Sequence, residues 1–297
     1  MGGRKTVKRA VMAAFLAVSP AVLAGDMRPV ALNGTTLEYE APGRGEPVLL
    51  VHGSILPDAF APLMKEPALA KYRLIRYHRR GYAGSARATG PVSIADQAAD
   101  ARTLLERLGV KRAHVVGHSY GAVIALQLAL DAPGVVRSLA LLDAPLFAAV
   151  PSGPGYVEAM GPIIQMHKDG NDAAAIDAFM TRIAGPEEKP LIERALGPGA
   201  VKTAVADAGT FFDVELPALQ QWAFSRDLAG RIRQPVLTVV GAKSSPPFQE
   251  VNTLLKQWYP AAEGLVVPGT GHALQILNPA AVGQGLARFY IGQRAAR

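Results

Sequence analysis

The feature that most restricts the fold of this chain is the alternation of short apolar runs with longer segments of helical periodicity. Mostly apolar runs of about five to seven residues are typical of strands buried on both faces, as in a parallel sheet covered by helices. The runs with this character are PVLLV (47–51), YRLIRY (72–77), AHVVG (113–117), SLALLD (138–143), PVLTVVG (235–241) and GLVVPG (264–269). The alternation predicts an α/β fold with a mostly parallel central sheet and helices on both faces.

Other patterns supply the elements around that sheet. RPVALNGTTLEYE (28–40) predicts two strands around an Asn-Gly dipeptide, which favours a tight hairpin turn. Apolar residues at helical spacing predict helices over 93–110 and 122–130. We expect ALQILNPAAVGQGLARFY (273–290) to form one closing helix.

Residues 146–228 interrupt this alternation, because they contain no convincing core strand. The segment is rich in glycine and proline at 151–162 and 185–199, with helical stretches between. We interpret it as a helical cap inserted into the α/β core. The core would then consist of residues 25–145 and 229–297.

The first 24 residues predict a secretory signal peptide. Four basic residues within the first nine precede the apolar stretch AVMAAFLAVSPAVLA (10–24), which ends in a plausible cleavage point. The alternative is an uncleaved membrane anchor, but this stretch is short for a bilayer span and contains Pro20. We therefore expect a periplasmic or secreted protein with no stable membrane insertion after processing.

Charge and composition exclude several kinds of partner and site. Removing residues 1–24 takes away four basic and no acidic residues, so the formal net charge falls from +7 to +3. A charge this small does not call for nucleic acid or anionic lipid. The chain has no cysteine, which excludes disulfides, thiolate metal sites and cysteine nucleophiles. Since no dinucleotide fingerprint, phosphate loop or metal-ligand cluster is present, we expect no cofactor and no metal.

VVGHSYGA (115–122) carries the strongest functional signal. Its residues 117–121 match the pattern G-x-S-x-G between a predicted strand and a predicted helix. A serine on such a sharp turn projects its hydroxyl above the sheet edge, and the glycines allow neighbouring backbones to crowd together there. The context predicts that Ser119 is a catalytic nucleophile, and a tight turn with an idle serine is the alternative.

The turn VHGSILPD (51–58) predicts groups that bind a negatively charged oxygen. Its His-Gly pair follows the first strand of the main sheet and can aim backbone N–H groups at the serine. We expect the N–H of Ser54 to be one oxyanion donor, with Ile55 as the fallback. The N–H of Tyr120, directly after the serine and at a helix N-terminus, is the expected second donor.

A serine nucleophile needs a base, and the chain has six histidines. His272 lies in PGTGHALQILNP (268–279), after the last predicted strand and before the last predicted helix, where a loop could reach Ser119. The others lie in a basic loop, at a strand start, beside the serine, in the oxyanion turn and in the cap: His78, His114, His118, His52 and His167.

These motifs together resemble the α/β-hydrolases, in particular their small, capped esterase and cofactor-free peroxidase-like members. The matching stretches are VHGS, YHRRGYAGS, VVGHSYGA, LLDAP, PVLTVVG and PGTGHALQILNP, which frame residues 28–145 and 230–292. The resemblance implies the fold of that family, with Ser119 as nucleophile and His272 as base. Related dehalogenases and epoxide hydrolases carry an aspartate in place of the serine, so Ser119 points to acyl transfer through an acyl-enzyme.

The acid of the catalytic triad is the open question. In the family it would follow the strand at 235–241, where this chain has Ser244. We expect Asp143 to serve instead, because it ends the strand after the nucleophile strand and so lies at the same edge of the sheet. Some members of the family carry their acid there, and the order serine, acid, histidine is kept. Glu250 as the acid, or no acid at all, are the alternatives.

The sequence thus predicts an exported serine hydrolase that cleaves carboxylic esters of an apolar small molecule. A C–C bond hydrolase or a cofactor-free perhydrolase on the same serine is one alternative, and a binding protein on an inactive hydrolase fold is another. We expect most apolar cap side chains to pack against the core and a few to face the substrate: Met160, Ile163, Ile164, Met166, Phe179, Met180, Phe211, Phe212, Trp222 and Phe224. The oligomeric state stays open.

Overall fold

A computed structural model describes residues 27–295, so the predicted signal peptide at 1–24 lies outside the described residues. Strands of the described chain form one eight-stranded sheet. In chain order they are β1 (Arg28–Leu32), β2 (Thr35–Glu40), β3 (Glu46–Val51), β4 (Tyr72–His78), β5 (Ala113–His118), β6 (Val136–Leu142), β7 (Val236–Gly241) and β8 (Glu263–Val267). Their spatial order is β1-β2-β4-β3-β5-β6-β7-β8. The mostly parallel sheet is confirmed, since only the β1–β2 and β2–β4 pairs are antiparallel.

Register aligns the carboxyl ends of the central strands. Gly117 of β5 pairs with Val51 of β3 on one side and with Leu141 of β6 on the other. Further along, Gly241 of β7 pairs with Val267 of β8. The loops that follow these strands therefore emerge at one edge of the sheet, where ligands of open α/β sheets commonly bind.

Alternate side chains of each central strand pack into a hydrophobic core on opposite faces of the sheet. In β3, Leu49 and Val51 join the cluster that packs against the first two helices, whereas Val48 and Leu50 join the cluster on the opposite face. All four side chains are fully buried. Burial on both faces explains why this strand is an unbroken apolar run.

Helices cover the sheet and form the segment between β6 and β7. In chain order they are α1 (Ile94–Arg107), α2 (Tyr120–Asp131), α3 (Gly153–Glu158), α4 (Gly161–Lys168), α5 (Asp172–Leu196), α6 (Ala200–Ala206), α7 (Leu216–Gln221), α8 (Arg226–Ala229), α9 (Pro246–Trp258), α10 (Leu274–Leu277) and α11 (Pro279–Ala295). Four short 3₁₀ turns complete the described set: Leu63–Lys65, Pro67–Leu69, Pro133–Val135 and Phe147–Ala149. Among the described helices, none has both the length and the apolarity that crossing a bilayer requires.

Prolines and glycines in the 146–228 segment mark helix starts and one bend. Pro154 and Pro162 each lie in the first turn of a short helix, where the missing N–H has no acceptor to lose. α5 bends at Gly185, whose φ of 81° and ψ of 160° are not helical, and Pro186 follows directly. A π-helical turn, Thr210–Glu215, precedes α7.

Two details of the C-terminal part differ from the sequence-based expectation. The single closing helix predicted over 273–290 was wrong: α10 ends at Leu277, and α11 begins at Pro279. A proline cannot continue the helical hydrogen bonds of the preceding turn, which separates the two helices. No helix was predicted where α9 lies, which begins at the two prolines after Ser245.

Candidate active site

Ser119 lies on the sharp turn from β5 into α2. Its φ of 53° and ψ of −125° are conformations that non-glycine residues rarely adopt, at a cost of about 1–3 kcal/mol. The turn is held from both sides, since the Ser119 N–H donates to the Leu142 carbonyl (2.9 Å) and the Ser119 carbonyl accepts from the Ala122 N–H (2.8 Å). Ser119 lines a large cavity between the sheet edge and the 146–228 segment.

Close backbone packing explains the glycines around Ser119. A β-carbon added at Gly121 would lie 2.0 Å from the Val51 carbonyl oxygen, and one at Gly117 would lie 2.3 Å from the Gly121 carbonyl oxygen. One added at Gly53 would lie 2.9 Å from the β-carbon of Ser119. The turn at 52–55 therefore approaches Ser119 as closely as backbone atoms permit.

His272 follows β8 and is held on several sides. Its ring stacks on Phe248, with centroids 4.4 Å apart, and lies 4.6 Å from the ring of His118. Nε2–H of His118 donates to the His272 carbonyl (2.8 Å), and the Lys243 N–H donates to the Thr270 carbonyl (2.8 Å). His272 and Ser119 line the same cavity, so the structure brings the predicted base and nucleophile to one place.

Asp143 meets the ring of His272 from the end of the neighbouring strand. Its Oδ2 lies 3.1 Å from Nδ1 of His272 and accepts a 2.6 Å hydrogen bond from the Ser244 hydroxyl. The Asp143 N–H donates to the Val239 carbonyl of β7 (2.9 Å), which anchors the carboxylate between the two strands. Ser244, at the position where the resemblance places the acid, thus binds the carboxylate of Asp143.

Glu250, the alternative acid, has a different partner. It lies on α9, and its Oε2 accepts a hydrogen bond from the Ser152 N–H (3.0 Å) at the start of α3. The carboxylate that contacts the His272 ring is that of Asp143. Of the two carboxylates considered from the sequence, the structure brings only Asp143 to the histidine.

Burial opposes charge on both Asp143 and His272. Burial raises the pKa of the Asp143 carboxyl to about 7, although the Ser244 hydroxyl and the nearby His118 act in the opposite direction. Burial also lowers the pKa of the His272 imidazole below its ordinary value. The pKa of His118 falls to about 3 because of burial and of its neighbour His272. Neutral imidazole at neutral pH leaves a ring nitrogen of His272 able to accept a proton.

The expected oxyanion donors face the cavity beside Ser119. Ser54 and Tyr120 both line it. The Tyr120 N–H belongs to the first turn of α2, where N–H groups have no acceptor within the helix. Within the described residues, the Ser54 N–H also has no protein acceptor. The N–H of Ile55, the fallback, instead donates to the Tyr82 hydroxyl (3.3 Å).

The cavity above these groups has a volume of about 650 Å³ and is mostly apolar. Aromatic side chains from the sheet-edge loops and from the 146–228 segment line it: Phe147, Tyr156, Phe179, Phe211, Trp222 and Phe224. Apart from His118 and His272, Glu158 is the one ionisable acid or base of the Asp, Glu, Lys and Arg types among the described lining residues, and it is exposed. The cavity therefore suits an uncharged, apolar ligand.

The apolar side chains named for the cap divide between the cavity and the packing beneath it. Those that line the cavity are Met160, Ile164, Phe179, Phe211, Trp222 and Phe224. Ile163, Met180 and Phe212 are buried in the cluster between the cap and the core loops, whereas Met166 is 37% exposed.

A carboxylate that no sequence motif marks reaches the His272 loop from the cap. Glu188, just after the bend in α5, accepts a 2.7 Å hydrogen bond from the Gly271 N–H, one residue before His272. Burial raises the pKa of this carboxyl. No local pattern distinguishes Glu188 from its neighbour Glu187, because the contact depends on how the cap docks.

Comparison with known proteins identifies the fold over most of the chain. Residues 46–279 match the family described as alpha/beta hydrolase fold. RutD of Azorhizobium caulinodans, named as a carbamate hydrolase, is 39% identical over 107 residues, which are 36% of this chain and 40% of that protein. A fluoroacetate dehalogenase of a Burkholderia species is 33% identical over 129 residues, 40% of each chain. The chain thus spans about two fifths of the length of the curated relatives it matches.

Solved structures resemble this fold over nearly its whole length. A thermophilic esterase from Thermogutta terrifontis superimposes with a TM-score of 0.77 and 21% identity, covering 91% of this chain and 99% of the other. The enol-lactonase from Burkholderia xenovorans gives a TM-score of 0.73 and 22% identity, covering 89% of this chain and 100% of the other. At this level of identity, the similarity shows a shared fold.

Proposed function

Because this chain belongs to the alpha/beta hydrolase family, we propose that it is a serine hydrolase that cleaves carboxylic esters. The observation that carries the proposal is the meeting of three groups at one sheet edge. Asp143 contacts Nδ1 of His272 at 3.1 Å, and His272 lines the same cavity as the strained Ser119. A nucleophile, a base and an orienting acid are the parts that acyl transfer through an acyl-enzyme requires.

In the proposed reaction, Ser119 Oγ attacks the ester carbonyl while His272 takes the hydroxyl proton. Since Nδ1 faces Asp143, the free Nε2 is the nitrogen that accepts this proton and passes it to the leaving alkoxide. The negative oxygen of the tetrahedral intermediate binds the Ser54 and Tyr120 N–H groups. Water, activated by His272, then hydrolyses the acyl-enzyme, releases the acid and restores the serine.

The cavity indicates the class of ester. Its aromatic and aliphatic lining and its volume of about 650 Å³ favour butyryl to octanoyl esters over charged acyl groups. A carboxylate on the acyl chain would meet Glu158 and no lysine or arginine among the described lining residues. We therefore expect dicarboxylate monoesters to be poor substrates.

A carbamate is the second candidate substrate. Attack of Ser119 on a carbamate carbonyl would use the same groups. A relative that matches this chain over 107 residues is named a carbamate hydrolase. Hydrolysis rates measured side by side with an apolar p-nitrophenyl ester and with the matching carbamate decide between the ester and the carbamate as substrate.

The test of the main proposal is labelling combined with turnover. A fluorophosphonate should modify the protein at Ser119, and a panel of p-nitrophenyl esters should be hydrolysed. Ser119→Ala should abolish labelling and lower kcat by about a millionfold. Labelling at another residue, or hydrolysis that survives Ser119→Ala, would contradict the mechanism. Absence of both activities in the folded wild-type protein would favour the binding protein, and peracid formation or diketone cleavage without esterase activity would favour the other enzyme alternatives.

Export belongs to the same proposal, on the evidence of the basic and apolar pattern of residues 1–24. Mature protein should begin near Gly25 in a periplasmic or culture-supernatant fraction, as N-terminal sequencing would measure. An intact Met1 in the membrane fraction would contradict it.

A further inference from the structure

A carboxylate of the cap is buried beneath the turn that carries the proposed oxyanion donor. Glu215 ends the π-helical turn Thr210–Glu215, and it is 1% exposed. Its Oε2 accepts a hydrogen bond from the Ser54 hydroxyl (2.5 Å) and another from the Tyr82 hydroxyl (2.8 Å). Glu215, a cap residue, thus binds Ser54 directly and also binds Tyr82, which contacts the same turn.

Arg79 keeps this buried carboxylate paired. The guanidinium, also 1% exposed, forms an ion pair with Glu215. Burial works against the charge of Arg79, but the Glu215 carboxylate raises its pKa above the ordinary value. Arg79 also donates to the carbonyls of His52 (3.0 Å) and Gly53 (2.9 Å), so the pair is fastened to the backbone of the turn.

The same network decides which N–H groups of the turn are available. Tyr82 donates to Glu215 and accepts the hydrogen bond of the Ile55 N–H. Ile55 has a φ of 60°, which a β-branched residue adopts only when its surroundings hold it there. With the Ile55 N–H occupied, the Ser54 N–H remains without a protein acceptor within the described residues.

The charge of Glu215 does not oppose an oxyanion nearby, because Arg79 compensates it within the network. Three donors converge on this carboxylate: the Arg79 guanidinium, the Ser54 hydroxyl and the Tyr82 hydroxyl. Removing one partner of such a buried network is costly, whereas the complete network is rigid.

We propose that Glu215 is a positioning residue for the oxyanion hole: it fixes the turn 52–55 so that the Ser54 N–H stays directed at the developing oxyanion. The inference rests on the proposed function and extends it, since it makes the cap part of the catalytic geometry as well as a cover for the substrate. It predicts that loss of the Glu215 contact weakens transition-state binding more than substrate binding.

The first test is Glu215→Gln in the full-length mature protein, assayed on p-nitrophenyl butyrate. We expect kcat to fall about 10- to 100-fold while KM changes less than about threefold, because a displaced oxyanion donor acts in the transition state. The Ki of an alkyl trifluoromethyl ketone, whose serine adduct carries an oxyanion, should rise by the same factor as kcat/KM falls. A general loss of folded protein would lower the concentration of active sites but would leave the Ki unchanged.

The second test leaves the Arg79–Glu215 ion pair intact. Tyr82→Phe removes only the hydroxyl between Glu215 and the Ile55 N–H, and we expect about five- to tenfold loss in kcat with a matching rise in Ki. This variant decides the question if Glu215→Gln does not fold. Asp213→Asn is the matched control, because this carboxylate lies on the same turn but is exposed and pairs with His167. It should have wild-type kcat and Ki.

The outcomes separate this inference from the proposed function. A wild-type protein without ester turnover and without fluorophosphonate labelling would sink the proposed function and this inference with it. An active wild type combined with folded variants of unchanged kcat and Ki would overturn the positioning role alone. A raised KM at unchanged kcat would overturn it too, since Glu215 would then act on substrate binding.

Discussion

The turn around Ser119 and the cap above it are held in place by different kinds of contact. In the turn, Gly117 and Gly121 have no room for a β-carbon, because backbone atoms lie within 2.3 Å of where it would be. In the cap, Gly155 and Gly161 have nothing within 4 Å of that position. The core site thus depends on close backbone packing of α2 against β3 and β5, whereas Gly155 and Gly161 of the short cap helices face open space.

The cap attaches through an apolar cluster and also through three buried carboxylates. Glu188 accepts from the Gly271 N–H, and Asp207 accepts from the Ala83 N–H (2.8 Å). Glu215 accepts from the Ser54 hydroxyl. Each acid is buried, and each contacts a loop of the core at the sheet edge. The sharp turn at Ser119 thus depends on close backbone packing, while an apolar cluster and a few long-range polar contacts join the cap to the core.

The largest effect should come from a substitution in the core, at Asp143. Asp143→Asn keeps the shape but removes the charge that holds the His272 tautomer, so kcat should fall by about 10³–10⁴. Steady-state kinetics and circular dichroism would measure the loss and the retained fold. Ser244→Asp in the same chain should restore part of the activity, since Ser244 Oγ lies 2.6 Å from the Asp143 carboxylate. Near-wild-type Asp143→Asn would show that the carboxylate is not needed.

A second core substitution tests the close backbone packing. Gly121→Ala would place a methyl group 2.0 Å from the Val51 carbonyl, and we expect it to lower the free energy of unfolding by about 3 kcal/mol. Urea unfolding monitored by tryptophan fluorescence measures this change. An unchanged midpoint would mean that β3 and α2 move apart at little cost.

Ser244→Ala should change the pH dependence more than the maximal rate. The Ser244 hydroxyl stabilises the charged form of Asp143 and so lowers its pKa; without it, the pKa rises above about 7. The carboxylate is then lost at higher pH, and the acid limb of kcat/KM should move up by about one unit. At pH 9 kcat should stay within about threefold of wild type. A limb that stays in place, or moves down, would argue against this hydrogen bond.

The smallest effect belongs to the cap. Gly155→Ala, in α3, meets nothing within 4 Å and needs no unusual φ, so it should raise the free energy of unfolding by about 0.5–1 kcal/mol through lower backbone entropy in the unfolded chain. It serves as the matched control for Gly121→Ala in the same urea experiment. A loss as large as that of Gly121→Ala would remove the contrast between the two regions.

Elements with a strong local pattern were predictable from the sequence. The hairpin at 28–40 and the helix beginning after Ser93 are confirmed, and the latter starts with the capping contact between Ser93 and Asp96. Prolines occur at both places where the helices differ from the sequence-based expectation. Pro279 separates α10 from α11, whereas Pro246 and Pro247 lie in the first turn of α9, for which no helix was predicted. A proline breaks a helix in its interior and is tolerated in its first turn, so its meaning depends on where the helix begins.

The sequence by itself determined the α/β fold and singled out Ser119 and His272 as candidates, because apolar periodicity and the G-x-S-x-G turn involve residues close together in the chain. It left the acid open between Asp143, Glu250 and none. Only the tertiary structure placed a carboxylate on His272, through a contact between residues 129 positions apart. That contact exists because β6 pairs with β7, with Leu142 opposite Val239, which brings Asp143 and Ser244 to adjacent strand ends. The cap carboxylates were hidden for the same reason: whether an acid is a solvated surface group or a buried acceptor depends on which distant N–H or hydroxyl the packed chain brings to it.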